Sequence, residues 1–295
     1  MIMRVSKLRS FYREEQKMKY MLSAFADEFS DDFSEQLQVL KNNDFSYIEL
    51  RHANGKNVSE FTRGEVSELG KRLSDSGIRV SSIGSPIGKV RLDENLKAHF
   101  ETAERVFETA EFLGAKYVRI FSFYSAEGRK IEERKGEVFA ALEQIVKISE
   151  KYHVTLCHEN EAKIYGESPE RCAEIAAYSG GKIRSVFDMG NFVLDGFDPF
   201  AAYRLLLPYI EYFHIKDALF AGAVVPAGKG EARIRHILND FKTQAKKDTF
   251  ITLEPHLQTF AGLNALVGKS FENPYRYENQ KVAFLDAVSH LKNLL

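Results

Sequence analysis

The sequence predicts an α/β protein built as a single (β/α)8 barrel, on three observations. Short apolar and β-branched runs alternate with amphipathic helical stretches eight times, without a repeat boundary or low-complexity linker between them. Continuous apolar strands followed by helices imply a parallel sheet covered by helices, and eight such units in about 275 residues match a closed barrel. Third, four successive runs, the fifth to the eighth, each end in polar side chains. In a closed barrel those ends converge on one mouth, whereas an open doubly wound sheet would gather ligands at one switch point.

Taken in order, residues 20–25 form the first strand. Asp31 and Asp32 suit a helix N-terminus and open a helix over 33–42, where Phe33, Leu37, Val39 and Leu40 recur at near-helical spacing. The second strand is 47–51 and the next helix 59–76, closed by Gly77 as its C-cap. Residues 78–83 form the third strand, stopped by Gly84-Ser85-Pro86, and an amphipathic helix over 92–113 ends at Gly114. The fourth strand is 117–121, followed by a helix over 133–152, and the fifth begins at Thr155. A helix over 169–179 ends at Gly180-Gly181, before the sixth strand at 183–188. Helix 199–207, strand 210–214, helix 234–246, strand 250–254 and helix 277–294 complete the series.

The 295 residues, 44% of them hydrophobic, suffice for a large core. A net charge of −1 offers no surface for a polyanion, so nucleic acid is not expected as a partner. Cys157 closes a strand and Cys172 lies in a helix; without a secretory h-region, they point to a reducing cytoplasm, not a disulfide framework. No apolar run approaches the ~20 residues of a membrane span. Residues 1–17 are read as a basic N-terminal extension and 18–295 as the barrel, with Met18 a candidate functional start.

The chemistry gathers at the ends of the last four strands. The run Thr155-Leu156-Cys157-His158-Glu159-Asn160-Glu161 ends in two carboxylates spaced by two, which strand alternation turns to one side. Asp188 ends the sixth run, His214 and Lys216 the seventh, and Glu254 and His256 the eighth. Glu159, Asp188, His214 and Glu254 thus meet at one axis as three carboxylates and an imidazole. Such carboxylates repel strongly unless protonated or neutralised, and a divalent cation neutralises them. An oxygen-rich set with one nitrogen suits Mn²⁺ first, then Mg²⁺, with Co²⁺ or Zn²⁺ as alternatives. Taken singly, each residue reads first as a strand-end charge bonded to a loop; four in register favour the metal.

These residues resemble the xylose isomerase-like TIM barrels, the sugar phosphate isomerase/epimerase superfamily that includes the ketose 3-epimerases and the family 2 apurinic endonucleases. The resemblance runs from about Met18 to the C-terminus and is carried by Glu159 in LCHENE, Asp188 in VFDMGN, His214 in HIKD, the VPAGKGE loop and Glu254 in TLEPH. It implies that Glu159, Asp188, His214 and Glu254 bind one divalent ion, with Glu159 and Glu254 also the acid/base pair. The expected activity is isomerisation or epimerisation of a sugar, sugar phosphate or polyol through a metal-stabilised enediolate. The alternative is a lyase or dehydratase using the same enolisation. An endonuclease ranks last, because only His214 of the eight histidines falls on its pattern and the chain lacks a phosphate track.

Two positions depart from the epimerases. Asn191 stands where they carry a histidine, and Phe220 where they carry an arginine, which leaves the sugar open. Glu161, Asn191, Lys216 and His256 are candidate contacts for a small carbohydrate substrate. Lys216 reads equally as an ion-pair partner of a carboxylate such as Glu254, and His256 equally as a loop cap. Gly228-Lys229-Gly230 reads as a turn before it reads as a phosphate cradle. Arg51 and His52 are weaker candidates, Cys157 is expected beneath the metal, and a homo-oligomer is left open.

Overall fold

The computed structural model describes residues 18–125, 128–258 and 275–295; the basic extension expected at 1–17 lies outside them. Eight strands alternate with helices: β1 Tyr20–Ala24, β2 Tyr47–Leu50, β3 Arg79–Gly84, β4 Tyr117–Ile120, β5 Thr155–Glu159, β6 Ile183–Asp188, β7 Ile210–Ile215 and β8 Thr249–Leu253. The helices are α1 Phe33–Asn42, α2 Arg63–Ser76, α3 Leu96–Phe112, α4 Lys135–Ser149, α5 Pro169–Tyr178, α6 Met189–Leu194, α7 Pro199–Leu206, α8 Ile234–Gln244 and α9 Gln280–Leu294. The ladders between these eight strands are all parallel, in the order β1-β8-β7-β6-β5-β4-β3-β2. β2 lies beside β1, so the ring is nearly closed and forms a (β/α)8 barrel.

Local chemistry sets most boundaries. The Asp32 side chain accepts from the amides of Ser34 and Glu35, fixing the start of α1. Thr62 and Glu65 form a capping box on α2, and Gly77 ends that helix in the left-handed region at φ 75°. Where helices were expected from 59 and 133, short 3₁₀ turns at Val58–Glu60 and Ile131–Arg134 come first. The helix expected from 92 starts only where Asn95 caps it. Helix α6 was not foreseen, nor were two hairpins, His52–Ala53 with Lys56–Asn57 and Asp217–Leu219 with Ala223–Val225.

Strand alternation divides the interior. Outward residues such as Ile48, Val118, Leu156, Phe187, Phe213 and Ile251 pack with the helices in the main core. The inward faces start with a second apolar cluster of Tyr117, Cys157, Val186, Tyr212 and Phe250, with Met21 and Tyr47 against it. Two residues further along the same faces stand Glu49, Arg119, Glu159, Asp188 and His214, all buried. An apolar floor thus supports a charged ring at the C-terminal mouth, and Cys157 lies in that floor below Glu159. No helix among the described residues is long and apolar enough to cross a membrane.

Candidate metal centre

Glu159 and Asp188 close β5 and β6, His214 lies one residue before the end of β7, and Glu254 follows β8. One ligand atom from each lies within 4.8 Å of all the others, and all four residues are buried. The imidazole is the hub. His214 Nδ1 is 2.9 Å from Glu159 Oε1 and 3.1 Å from Glu254 Oε2. Its Nε2 is 3.1 Å from Glu49 Oε2, and the Tyr212 hydroxyl donates to Glu49 Oε1 at 2.9 Å. Phe25 packs edge-on to the ring, with centroids 5.1 Å apart. The ring is therefore fixed from behind and presents Nδ1 to the two glutamates.

Asp188 sits in a lattice of its own. Its Oδ1 accepts from the Asn191 amide at 2.8 Å, the cap that starts α6, and its Oδ2 accepts from Lys216 Nζ at 2.9 Å. Lys216 also reaches Asn191 Oδ1 at 3.1 Å and Glu254 Oε2 at 3.4 Å. The Asn191 side chain donates to the Asn160 carbonyl at 2.9 Å, and Asn160 donates to the Asp188 carbonyl at 2.9 Å. Gly190 has to lack a side chain here, since a Cβ would lie 2.7 Å from Lys216 Cγ.

Two arginines hold the glutamates. Arg51, 1% exposed, donates to Asp27 Oδ2 at 2.8 Å and Glu254 Oε1 at 3.0 Å, with Glu28 Oε1 at 3.5 Å. Arg119 Nη1 is 3.1 Å from Glu159 Oε2, and the guanidinium lies against the Phe121 ring at 4.7 Å. Around the axis, six buried carboxylates (Asp27, Glu28, Glu49, Glu159, Asp188 and Glu254) face three buried cations (Arg51, Arg119 and Lys216). Counted as fully ionised, these groups carry three excess negative charges, which a divalent ion would reduce to one, and burial already pushes the Glu28 carboxyl up to about 8. The donor set thus suits such an ion in charge as well as in geometry.

The titration properties follow from this excess. Burial, with the charges of Glu254 and Glu159, pushes the Asp188 carboxyl up to about 6 against the pull of Lys216. Burial disfavours the His214 imidazolium, but Glu159, Glu49 and Glu254 outweigh it and hold His214 well above the usual imidazole range. Burial likewise works against the Glu159 carboxylate, but His214 and Arg119 bring it down to about 2. A proton on His214 thus stands between Glu159 and Glu254, where a cation would otherwise balance them.

The other candidates are placed as follows. Asn191 and Lys216 join the cluster, and Lys216 is the ion-pair partner of Asp188 and Glu254. His256 is next to it: its amide donates to Glu28 Oε2 at 2.8 Å and its ring lies 3.3 Å from Glu254 Oε1. Burial pulls that imidazole down to about 4. Glu161 is not brought in with Glu159. The strand stops at Glu159, the two-residue alternation stops with it, and Glu161 pairs with Lys89 at 3.0 Å. Gly228 and Gly230 form a turn on Asp217, and Phe220 is 49% exposed on a hairpin turn. Glu49, Arg119, Asp27 and Glu28 were missed. For Glu49 and Arg119 a signal existed, a single charge flanked by apolar residues inside a strand, which must find its partner in the interior.

No curated protein matches the chain by sequence. Several solved structures share its fold. The probable 3-DHS dehydratase AsbF from Bacillus anthracis has 16% identity and a TM-score of 0.69, over 94% of this chain and 99% of that one. A xylose isomerase-like TIM barrel protein from Mycobacterium smegmatis in complex with magnesium has 15% identity and a TM-score of 0.66, over 94% and 96%. D-Psicose 3-epimerase from Clostridium cellulolyticum H10, solved with D-tagatose, has 13% identity and a TM-score of 0.71, over 93% and 98%. The family model for xylose isomerase-like TIM barrels matches residues 37–272, most of the barrel and every residue of the four-ligand cluster, and the chain belongs to that family.

Proposed function

We propose that the chain is a divalent-metal-dependent isomerase or epimerase that enolises a small carbonyl-bearing sugar or polyol, with Glu159 and Glu254 as its acid/base pair. The observation that carries this reading is the buried convergence of Glu159, Asp188, His214 and Glu254 within 4.8 Å at the barrel mouth. When bound there, a divalent ion, Mn²⁺ or Mg²⁺ by preference, supplies Lewis acidity to a carbonyl and its neighbouring hydroxyl. Glu159 and Glu254 come from strands with two others between them, and each is paired most closely with a different arginine, Arg119 at 3.1 Å and Arg51 at 3.0 Å. One would remove the α-proton and the other return a proton, which requires each to come within hydrogen-bond reach of the carbon it serves. Lys216, Asn191, His256 and, at the rim, Glu161 orient the substrate. The working unit is the barrel of residues 18–295, with 1–17 an extension to it, acting in the cytoplasm.

A β-elimination on the same enolate is the second reading, favoured by Lys216, whose ammonium lies 2.9 Å from Asp188 Oδ2 and 3.4 Å from Glu254 Oε2. A cation so placed assists a departing hydroxyl, and AsbF, a dehydratase by description, shares the fold. Both readings are tested by incubating the metal-loaded protein with ketoses, keto-sugars and an inosose in D₂O. Deuterium on a retained carbon skeleton marks isomerisation or epimerisation, and loss of water marks elimination. Glu159→Gln and Glu254→Gln are each expected to slow exchange by about 10²–10⁴-fold. Near-normal exchange in either variant would remove the two-carboxylate assignment.

A further inference from the structure

Barrels of this architecture often bind substrate phosphates on the loops after strands 7 and 8, through backbone amides at a helix start. The loop after β7 has the composition for it, Pro226-Ala227-Gly228-Lys229-Gly230-Glu231-Ala232, and leads into α8. Its amides do converge on an anion, but the anion is the protein's own. Asp217 Oδ2 accepts from Gly228 N at 2.7 Å and Gly230 N at 3.0 Å, while Oδ1 accepts from Ala218 N at 2.9 Å and Ala232 N at 3.0 Å. Asp217 is 2% exposed, and the loop is closed so tightly that a Cβ on Gly230 would collide with the carboxylate. At the start of α8, Arg233 turns to Asp198 at 3.4 Å.

Among the described residues, the buried cations that face the cluster are committed in the same way. Lys89 pairs with Glu161 at 3.0 Å and lies over the Phe121 ring at 4.2 Å. Arg119 is held by Glu159, Lys216 by Asp188 and Glu254, and Arg51 by Asp27 and Glu254. A phosphate entering this ring meets carboxylates whose charge is already in excess. Freeing a buried cation for it would leave a buried carboxylate unpaired, which is strongly unfavourable.

We infer that the site takes an uncharged, hydroxyl-bearing carbonyl compound and turns away the phosphate esters of such compounds. This rests on reading the cluster as an enolising site. Hydroxyls suit the lining, since carboxylate oxygens and the Asn191 side chain accept and share hydrogen bonds without a charge to neutralise. Asp217 acts here as a positioning residue: it occupies the anion cradle and keeps the loop beside Lys216 folded.

The test has a binding arm and an exchange arm. Inorganic phosphate is titrated calorimetrically into the full chain at constant ionic strength, with and without Mg²⁺. The wild type is expected to show no saturable binding tighter than about 1 mM. Asp217→Ala, which releases four amides, is expected to gain phosphate binding, and Asp217→Asn serves if the alanine variant is unstable. In the exchange arm, free ketoses and an inosose are compared with their phosphate esters in D₂O, and the neutral compounds are expected to exchange at least about 10-fold faster. Exchange confined to the esters, or sub-millimolar phosphate binding by the wild type, overturns the inference and leaves enolisation standing. Exchange with neither set, while phosphate is still refused, removes the enolising reading and leaves the exclusion of phosphate intact.

Discussion

Glu49 is fully buried in the barrel and touches the cluster only through His214 Nε2, at 3.1 Å. A carboxylate behind a histidine fixes its tautomer and raises its basicity as a ligand, and losing one typically costs 10–100-fold in metal affinity. The Tyr212 hydroxyl holds the other Glu49 oxygen at 2.9 Å, so the carboxylate cannot turn away. Glu49→Gln keeps the shape and removes the charge. We expect Mn²⁺ affinity, measured by calorimetry, to fall by about 10–100-fold with the far-UV spectrum unchanged; unaltered affinity would mean that Phe25 and the strand alone orient the ring. Lys216 makes the opposite test, because an ammonium cannot ligate a cation. Lys216→Met is expected to keep metal occupancy while turnover falls by about 10²-fold, if the ammonium stabilises a developing negative charge. Lost metal with intact chemistry on reconstitution would show that Lys216 only braces Asp188.

At the scale of elements, the segment between β3 and α3 carries Lys89 to Glu161 and is itself held by a histidine. His99 on α3 accepts from the Gly88 amide at 2.8 Å, and its ring lies 6.2 Å from that of Phe123. Burial keeps this imidazole below its ordinary range, against a smaller opposing effect of Glu94. The unfolded chain then binds the extra proton first. Stability from this contact is full above the unfolded value of about 6.5, declines as pH falls from there towards the depressed folded value, and levels off below it. Urea denaturation at steps between about pH 5 and 7 should show that decline, to which the buried His158 and His256 add in the same sense, and His99→Gln, which can still accept from Gly88, should make it shallower. An unchanged slope in the variant would assign the pH dependence to other groups. The same scale shows what was legible in the sequence. The helix at 33–42 and the strand at 183–188 were read to the residue, because Asp32 and the Gly180-Gly181 pair mark their edges. Helix α6 was not, since six residues carry too little periodicity and Asp188 serves at once as strand end and N-cap. Of the four metal candidates each was visible as a strand-end charge. Arg119 and Glu49 were visible only as charges inside apolar strands, and their partners Glu159 and His214 lie on strands that no local pattern connects to them. Glu161 stands outside the four-residue cluster because alternation holds only while the strand lasts.

For the whole molecule, the interior is built in two storeys with different debts to a cation. The lower storey of Tyr117, Cys157, Val186, Tyr212 and Phe250 is largely apolar and is stabilised mainly by burial, with the Tyr117 and Tyr212 hydroxyls bonded to Glu211 and Glu49. The upper storey concentrates six buried carboxylates against three buried cations, and without a metal it relies on protons, such as the one held on His214. A divalent ion binding the folded chain and not the unfolded one adds RT ln(1 + [L]/Kd), about 2.7 kcal/mol at a concentration of 100 Kd. In a chain of this size that corresponds to a rise in Tm on the order of 5 °C. Because the lower storey carries no ionised side chain of its own, chelation should lower Tm while the helical and sheet signals below the transition stay native. Asp188→Asn removes one ligand charge and should abolish most of the metal-dependent rise, whereas Glu211, which pairs with Lys247 and Arg184 at the opposite end of β7, should tolerate Glu211→Gln without altering it. A scan in which Mn²⁺ and Mg²⁺ leave Tm unmoved at millimolar concentration would mean that the ring balances its charge with protons alone, and the barrel mouth would then have to be read without a metal.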